Sequence, residues 1–475
     1  MPTFPCSTSP LPRFRRYGVP LFLCLLLALA PRAMAQAAGE APPLPAAQAE
    51  ALLADARKGE VFALEAASPR IADLQLAALA RARIAASRLQ DDAALRALAP
   101  FFSGQDADPR HRRIAWSIAA DAGFAAGDYA RAAEATGAWQ ALLAAHGDPD
   151  GRAADVAQFH GIATQLAAVP PQAVLAFAPE TVATRRDEVG LLRATMTVNG
   201  AAQEAVLDTG ANLSVVSAST ARRLGLRLLE GEGSVGSGSR DAVATRLGVA
   251  ERLEFAGLAL SNVVFLVLDD AQLEMPVAGG YRIDAILGFP VMRALRRIRF
   301  DADGRLTPEP VAGGDADDLP GDLPGNLRVV GSDLYVDVSV NGIAVPLHLD
   351  TGAPHSSLSS RFAQRHAPLL QGLPQERQRV GGAGGTTERR IATWPDVRVR
   401  VDAREMRLPE LAIATADSAD VETRNMGILG GDVLAAFASF TIDFARMRFE
   451  LGEPVDATRA SPPVGASPPA SDAVD

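Results

Sequence analysis

The spacing of hydrophobic positions changes character near residue 185. Before it, from about 45 to 170, apolar residues recur three and four apart, as in Leu74, Leu76, Leu79, Ile84 and Leu89. That is the period of helices burying one face, with breaks near Ala67-Ser68-Pro69, 104–109 and 146–151. After it, Leu191 to Val198 alternates, Asn199-Gly200 interrupts, and Glu204 to Leu207 returns. That pattern predicts a two-stranded hairpin turning on Asn-Gly. Leu334 to Val340, Asn341-Gly342 and the stretch to Leu349 repeat it. The pattern predicts an α-helical region over 36–172, an all-β unit over 183–307 and a second over 327–452. The Pro-, Gly- and Asp-rich stretch 308–326 reads as a linker and 453–475 as a disordered tail.

Two tripeptides stand at matching places in the two β units, Asp208-Thr209-Gly210 and Asp350-Thr351-Gly352, each after an apolar strand. Asn199 and Asn341 each precede their aspartate by nine positions, and Ile286-Leu287-Gly288 and Ile428-Leu429-Gly430 keep the 142-position offset of the aspartates. Landmarks held in register over that distance mark a duplicated structural unit. If the two units pack so that Asp208 and Asp350 lie within a few ångströms, both cannot easily ionise and the pair holds one proton. The ionised member then takes a proton from water while the protonated member polarises a carbonyl oxygen. Gly210 and Gly352 permit a tight turn and a close approach, and the hydroxyls of Thr209 and Thr351 can hydrogen-bond across the symmetry axis.

These residues resemble the motifs of the retropepsin-like aspartic proteases, over about 185–306 and again over 328–452. The resemblance implies two all-β acid-protease lobes around one dyad, Asp208 and Asp350. Thr209, Gly210, Thr351 and Gly352 would hold the turn, and Ser214 and Ser356 match a small hydroxyl position of the motif. It also implies glycine-rich flaps, at Ser234 to Ser239 and Gly381 to Gly385, closing over an extended peptide. Gly236, Gly238, Gly382 and Gly384 would then touch substrate, with Asn212, Leu213 and His355 in the pocket. Ala211 and Ala353 resemble the retroviral form, neither flap has a pepsin-type tyrosine, and a working pH nearer neutral than pepsin's follows. The sequence departs from the family at Phe289-Pro290, where the second unit has the polar Gly431-Asp432. The implied function is an exported aspartic endopeptidase acting on a peptide or protein substrate; the alternative is a noncatalytic periplasmic module that binds peptides or proteins.

No H-E-x-x-H, G-x-S-x-G or P-loop occurs. His348, Asp350 and His355 make a poor metal set, because the first unit has Val206 and Leu213 at the histidine positions; neither metal nor cofactor is expected. At the amino terminus Arg13, Arg15 and Arg16 precede an apolar run from Val19 to Ala30 and Ala33-Met34-Ala35. This predicts a signal peptide over 1–35 and a periplasmic or secreted product. Both cysteines, Cys6 and Cys24, lie within it, so the mature chain has no disulfide. The whole chain has net charge −10, and removing four leader arginines makes it more acidic. Nucleic-acid binding is disfavoured, and no later stretch predicts stable membrane insertion. In the helical region, Ala126 to Ala133 with Gly123 resembles the second-helix start of a tetratricopeptide repeat. That resemblance implies a helical-hairpin array, either a spacer or a surface for a protein partner. Trp116 and Trp139 read as core anchors.

Overall fold

The structure is a computed structural model and describes residues 42–103, 108–149, 151–231, 233–235, 243–275, 280–309, 325–382, 385–415 and 425–455. The expected signal peptide, Gly236, Gly238 and Gly384, and most of the expected linker and tail lie outside the described residues.

Seven α-helices among the described residues form the amino-terminal region: α1 (Ala46–Ala56), α2 (Val61–Ala67), α3 (Leu74–Ser87), α4 (Asp91–Ser103), α5 (Pro109–Ala125), α6 (Tyr129–His146) and α7 (Ala153–Leu166). Aspartates start three of them. Asp73 accepts the Gln75 and Leu76 N–H groups at 2.9 Å, and Asp108 and Asp128 do the same work for α5 and α6. At Gly123 a Cβ would lie 3.1 Å from the Ala132 nitrogen, so the absence of a side chain lets α5 and α6 approach closely. Trp139 is buried, and Trp116 is half-buried and stacks on Phe102 at 4.0 Å.

The β region consists of two lobes of one design. In the first, Leu192–Val198 and Ala201–Leu207 pair antiparallel around Asn199 (φ 49°) and Gly200 (φ 82°). In the second, Asp333–Val340 and Ile343–Leu349 pair around Asn341 (φ 48°) and Gly342 (φ 84°). Two consecutive left-handed residues match the right-handed twist of the strands they join, which is why Asn-Gly occurs at both places. The Ala285–Leu287 strand runs parallel to Ala201–Leu207 and antiparallel to Ser214–Ser217, threading between them. Gly427–Leu429 threads identically between Ile343–Leu349 and Ser357–Leu358.

Each lobe also carries a long hairpin, Val243–Phe255 with Leu258–Leu268 and Gly385–Val401 with Arg404–Ala414. The sequence predicts separate short strands near Leu253, Leu258 to Leu260 and Val263 to Leu268. The last two form one strand, whose pairing register with Val243–Phe255 runs unbroken past the positive φ of Asn262. A further strand, Ala173–Phe177, joins the edge of the first sheet against Leu258–Leu268, in a stretch that the sequence left unassigned.

The lobes are joined by a five-stranded sheet in which Arg297–Asp301 of the first pairs with Ser439–Asp443 of the second. Phe300 stacks on Phe440 at 4.4 Å, and Arg297 meets the fully buried Asp443 at 2.7 Å. This sheet extends through Pro308 on one side. Asn326 is buried and bonds both ways with the Phe449 backbone at 2.9 and 2.8 Å, so it belongs to the second lobe. At the other end the Val455 N–H reaches the Ala436 carbonyl at 2.8 Å.

The helical region packs on both lobes. Leu166, Val169 and Tyr129 share an apolar cluster with Leu247, Val249 and Val264 of the first lobe, and Tyr335 of the second packs at Gly59. The most buried polar link is Glu65 of α2, which takes both arms of the Arg328 guanidinium at 2.5 and 2.6 Å. Arg328 is only 3% exposed. Replacing Glu65 by Gln leaves that guanidinium desolvated without its counter-charge, and roughly 3–5 kcal/mol of stability should be lost in urea unfolding. A loss below about 1 kcal/mol would show that the interface does not depend on the pair.

Candidate active site

Asp208 follows directly on its strand, and its backbone N–H donates to the Leu287 carbonyl at 3.1 Å; Asp350 does the same to Leu429 at 3.1 Å. The threading strand thereby holds the base of each turn. Each carboxylate then accepts the N–H two residues on, Gly210 to Asp208 Oδ1 and Gly352 to Asp350 Oδ1, both at 2.8 Å.

The two turns are tied to each other by crossed bonds. The Thr209 N–H donates to Thr351 Oγ1 at 3.0 Å, and the Thr351 N–H donates to Thr209 Oγ1 at 3.1 Å. Each hydroxyl in turn donates across the lobes, Thr209 to the Leu349 carbonyl and Thr351 to the Leu207 carbonyl, at 2.7 Å. Both threonines are buried, so all four bonds are made away from water. The glycines show how close the halves come. A Cβ on Gly210 would sit 2.8 Å from the Asp350 Cγ, and one on Gly352 would sit 2.5 Å from the Asp208 Cγ.

The Ile-Leu-Gly glycines serve space rather than conformation, since Gly288 and Gly430 are extended, with φ of −98° and −108°. A Cβ on Gly288 would meet the Ala211 carbonyl at 2.6 Å, and one on Gly430 the His355 carbonyl at 2.7 Å. Ser214 Oγ accepts the Gly288 N–H at 3.2 Å and Ser356 Oγ accepts the Gly430 N–H at 2.9 Å, so both serines pin the threading strand to the turn. The lobes diverge immediately afterwards. Asp432 takes the Ser356 hydroxyl at 2.6 Å and its N–H at 2.9 Å. Pro290 occupies the matching place in the first lobe, and its carbonyl accepts from Gln172 at 3.1 Å. Asp432 stood out in the sequence only as half of a polar pair; its bonds to Ser356 had no local signal.

Both aspartates are half-buried. Burial, reinforced by the negative charge of Asp350, pushes the Asp208 carboxyl up to about 8 despite the Gly210 N–H. Burial also raises Asp350, opposed by the Gly352 N–H and by a hydrogen bond from Asp208. The charge balance favours a proton on Asp208 that is shared toward Asp350.

The remaining expected site residues are dispersed. Asn212 is exposed, and the His355 side chain is 85% exposed with its ring 4.0 Å from Asp432. Leu213 is a correction: expected in the pocket, it is 3% exposed and packs with Tyr129, Leu166 and Val169 of the helical region. It lies in the bend before the Ser214–Ser217 strand, where the helical region covers it. Gly382 pairs with Gly385 at the end of the Gln375–Gly382 and Gly385–Val401 hairpin. In the first lobe Gly233–Val235 pairs with Val243–Thr245 to form the corresponding stem.

The profile of the aspartyl protease family matches residues 194–291 and again 336–433. Among solved structures, a retropepsin-like aspartic protease from Rickettsia conorii is similar to part of the chain, at 18% identity over 29% of this chain and 92% of that one, with a TM-score of 0.19. A search of curated proteins finds no match. Each matched stretch holds one Asp-Thr-Gly and one Ile-Leu-Gly, so the aspartyl protease family model falls once on each lobe.

Two outcomes follow from this geometry. Thr351→Val leaves the Leu207 carbonyl and the Thr209 N–H buried without partners, and should cost roughly 2–4 kcal/mol in denaturant unfolding, with Thr351→Ser recovering most of it. The raised Asp208 means that the folded chain keeps a proton that the unfolded chain releases above the ordinary value of 3.8. Its contribution to stability is full below about pH 4 and is lost as pH rises toward about 8. Asp208→Asn should therefore raise the melting temperature at about pH 8 and change it little at about pH 4; an equal shift at both would show that the carboxyl is not raised.

Proposed function

We propose that the chain is an exported aspartic endopeptidase that hydrolyses peptide bonds with a water activated between Asp208 and Asp350. The observation that carries this reading is the crossed bonding of Thr209 and Thr351, which sets two carboxyls from different lobes against each other. Asp350, ionised, takes a proton from a water whose oxygen attacks the substrate carbonyl carbon. Asp208, protonated, hydrogen-bonds the carbonyl oxygen and transfers its proton as the tetrahedral centre forms. Collapse returns one proton to the departing amine and restores the pair. No covalent intermediate with the enzyme is formed.

The glycine-rich hairpins close over an extended substrate and exclude water during this cycle. Support for export, to the periplasm or outside the cell, comes from the basic, apolar and Ala-x-Ala pattern of residues 1–35. The helical region is a tetratricopeptide-like array that offers a surface to a protein partner while bracing both lobes. Peptide-library cleavage by the signal-less chain, read by mass spectrometry, tests the reading. Asp350→Asn should lower the rate roughly 10²–10⁴-fold. Cleavage at an unchanged rate would contradict it.

A further inference from the structure

The carboxyl end of α7 meets two parts of the first lobe at once. Leu166 is buried in one cluster with Leu213, Leu247, Val249 and Val264. Leu213 stands five residues after Asp208 and directly before Ser214, whose hydroxyl takes the Gly288 N–H and pins the threading strand to the turn. The neighbouring side chain, Gln165, lies against the glycine-rich hairpin instead. A Cβ on Gly231 would sit 3.5 Å from the Gln165 Nε2, and one on Gly233 would sit 3.9 Å from the same atom. Gly231 has a φ of 95°, which a residue with a side chain rarely adopts, and it leads into the Gly233–Val235 strand of the stem. Just before it, Arg227 and Leu228 pair with Val249 and Gly248, and the Leu229 N–H donates to the Leu247 carbonyl at 2.8 Å. One helix end therefore touches the catalytic turn and the segment that carries the hairpin.

Aromatic packing holds this helix end in place from behind. Phe124 of α5 meets Tyr129 of α6 edge-on at 5.5 Å and Phe159 of α7 edge-on at 5.2 Å, and Ile162 packs beside them against the first lobe. Rings interlocked between three helices leave α7 little room to shift. The second lobe holds its hairpin differently. Residues Gln375 to Gln378, in the stem of Gln375–Gly382 with Gly385–Val401, are exposed. Burial of Leu166 is enough to dock α7 on the first lobe. The Gln165 amide against the backbone at Gly231 and Gly233 does something else, because it fixes where the hairpin leaves that lobe.

We propose that Gln165 of the helical region is a positioning residue for the site: by its contact at Gly231 and Gly233 it fixes the first-lobe hairpin stem relative to the Asp208 turn, and so sets the affinity for an extended peptide. It touches neither carboxyl and acts only through the hairpin. The helical region is then a working part of substrate binding rather than a spacer, and the cleft has one braced hairpin and one unbraced. The consequence for peptide affinity rests on the peptide-hydrolase reading; the consequence for the hairpin stem does not.

The test compares the signal-less full chain with Gln165→Ala and with Gln165→Met, which keeps the reach of the side chain; melting curves verify that both are folded. Amide hydrogen exchange reads the stem directly. Gln165→Ala should speed exchange at residues 233–235 and 243–245 about tenfold and leave residues 375–378 unchanged, and Gln165→Met should return the stem close to wild type. Cleavage of a peptide selected from the library is measured on the same samples. Gln165→Ala should raise KM about tenfold with kcat within about twofold, because the dyad turns keep their own bonds, and the pH profile should not move. Unchanged exchange at the first stem would overturn the proposal whatever the cleavage result. Faster exchange with an unchanged KM would overturn the link between hairpin position and affinity. Faster exchange at the first stem in a chain that cleaves no peptide supports the brace and contradicts the hydrolase reading.

Discussion

Two threonine side chains impose the constraint on which the site depends. Each of Thr209 and Thr351 donates its hydroxyl to a carbonyl of the opposite lobe and accepts the other's backbone N–H, so neither turn is satisfied alone. Breaking the contact would leave buried backbone groups without partners in both lobes at once. That penalty holds two carboxyls together against their mutual repulsion and desolvation, which are what raise Asp208. Gly210 and Gly352 are the steric counterpart, because any side chain there would occupy the opposite carboxyl's place. The interlobe sheet through Arg297–Asp301 and Ser439–Asp443 then makes the pairing a property of one chain.

Duplication does not make the halves equal. In the second lobe Asp432 anchors Ser356, whereas in the first Pro290 is met by Gln172, at the end of the helical region. Leu213, one residue before Ser214, packs against α6 and α7 rather than lining a cleft. The first lobe has thus given part of its outer surface to the helical region, while the second meets it through the Glu65–Arg328 and Tyr335–Gly59 contacts. The same divergence puts a buried histidine, His348, at the position matching the buried Val206.

The parts legible from sequence are those in which a residue does a local job that few others can do. Asn-Gly appears where two left-handed residues must follow one another, and glycine appears where a backbone passes within contact of another turn. Repetition of these at one offset made the two-lobed β architecture and the aspartate turns readable together. What escaped depends on distant partners. The strand Ala173–Phe177 has an exposed, edge position after two prolines, so its composition does not announce it. Leu213 looks like a pocket residue until the helical region is placed against it. Arg328 and Asn326 sit among residues that read as the margin of a linker, and only Glu65 and Phe449, far away in the chain, reveal them as interior.

The central claim is that one chain builds one site from both lobes. The most direct measurement is the binding stoichiometry of a pepstatin-type peptide, in which a hydroxyl-bearing carbon replaces the scissile carbonyl, titrated calorimetrically into the monomeric signal-less chain. About one inhibitor per chain is expected, with binding strongly weakened by Asn at either position 208 or position 350. About one inhibitor per two chains, or undiminished binding by either variant, would contradict a site shared between the lobes of a single chain.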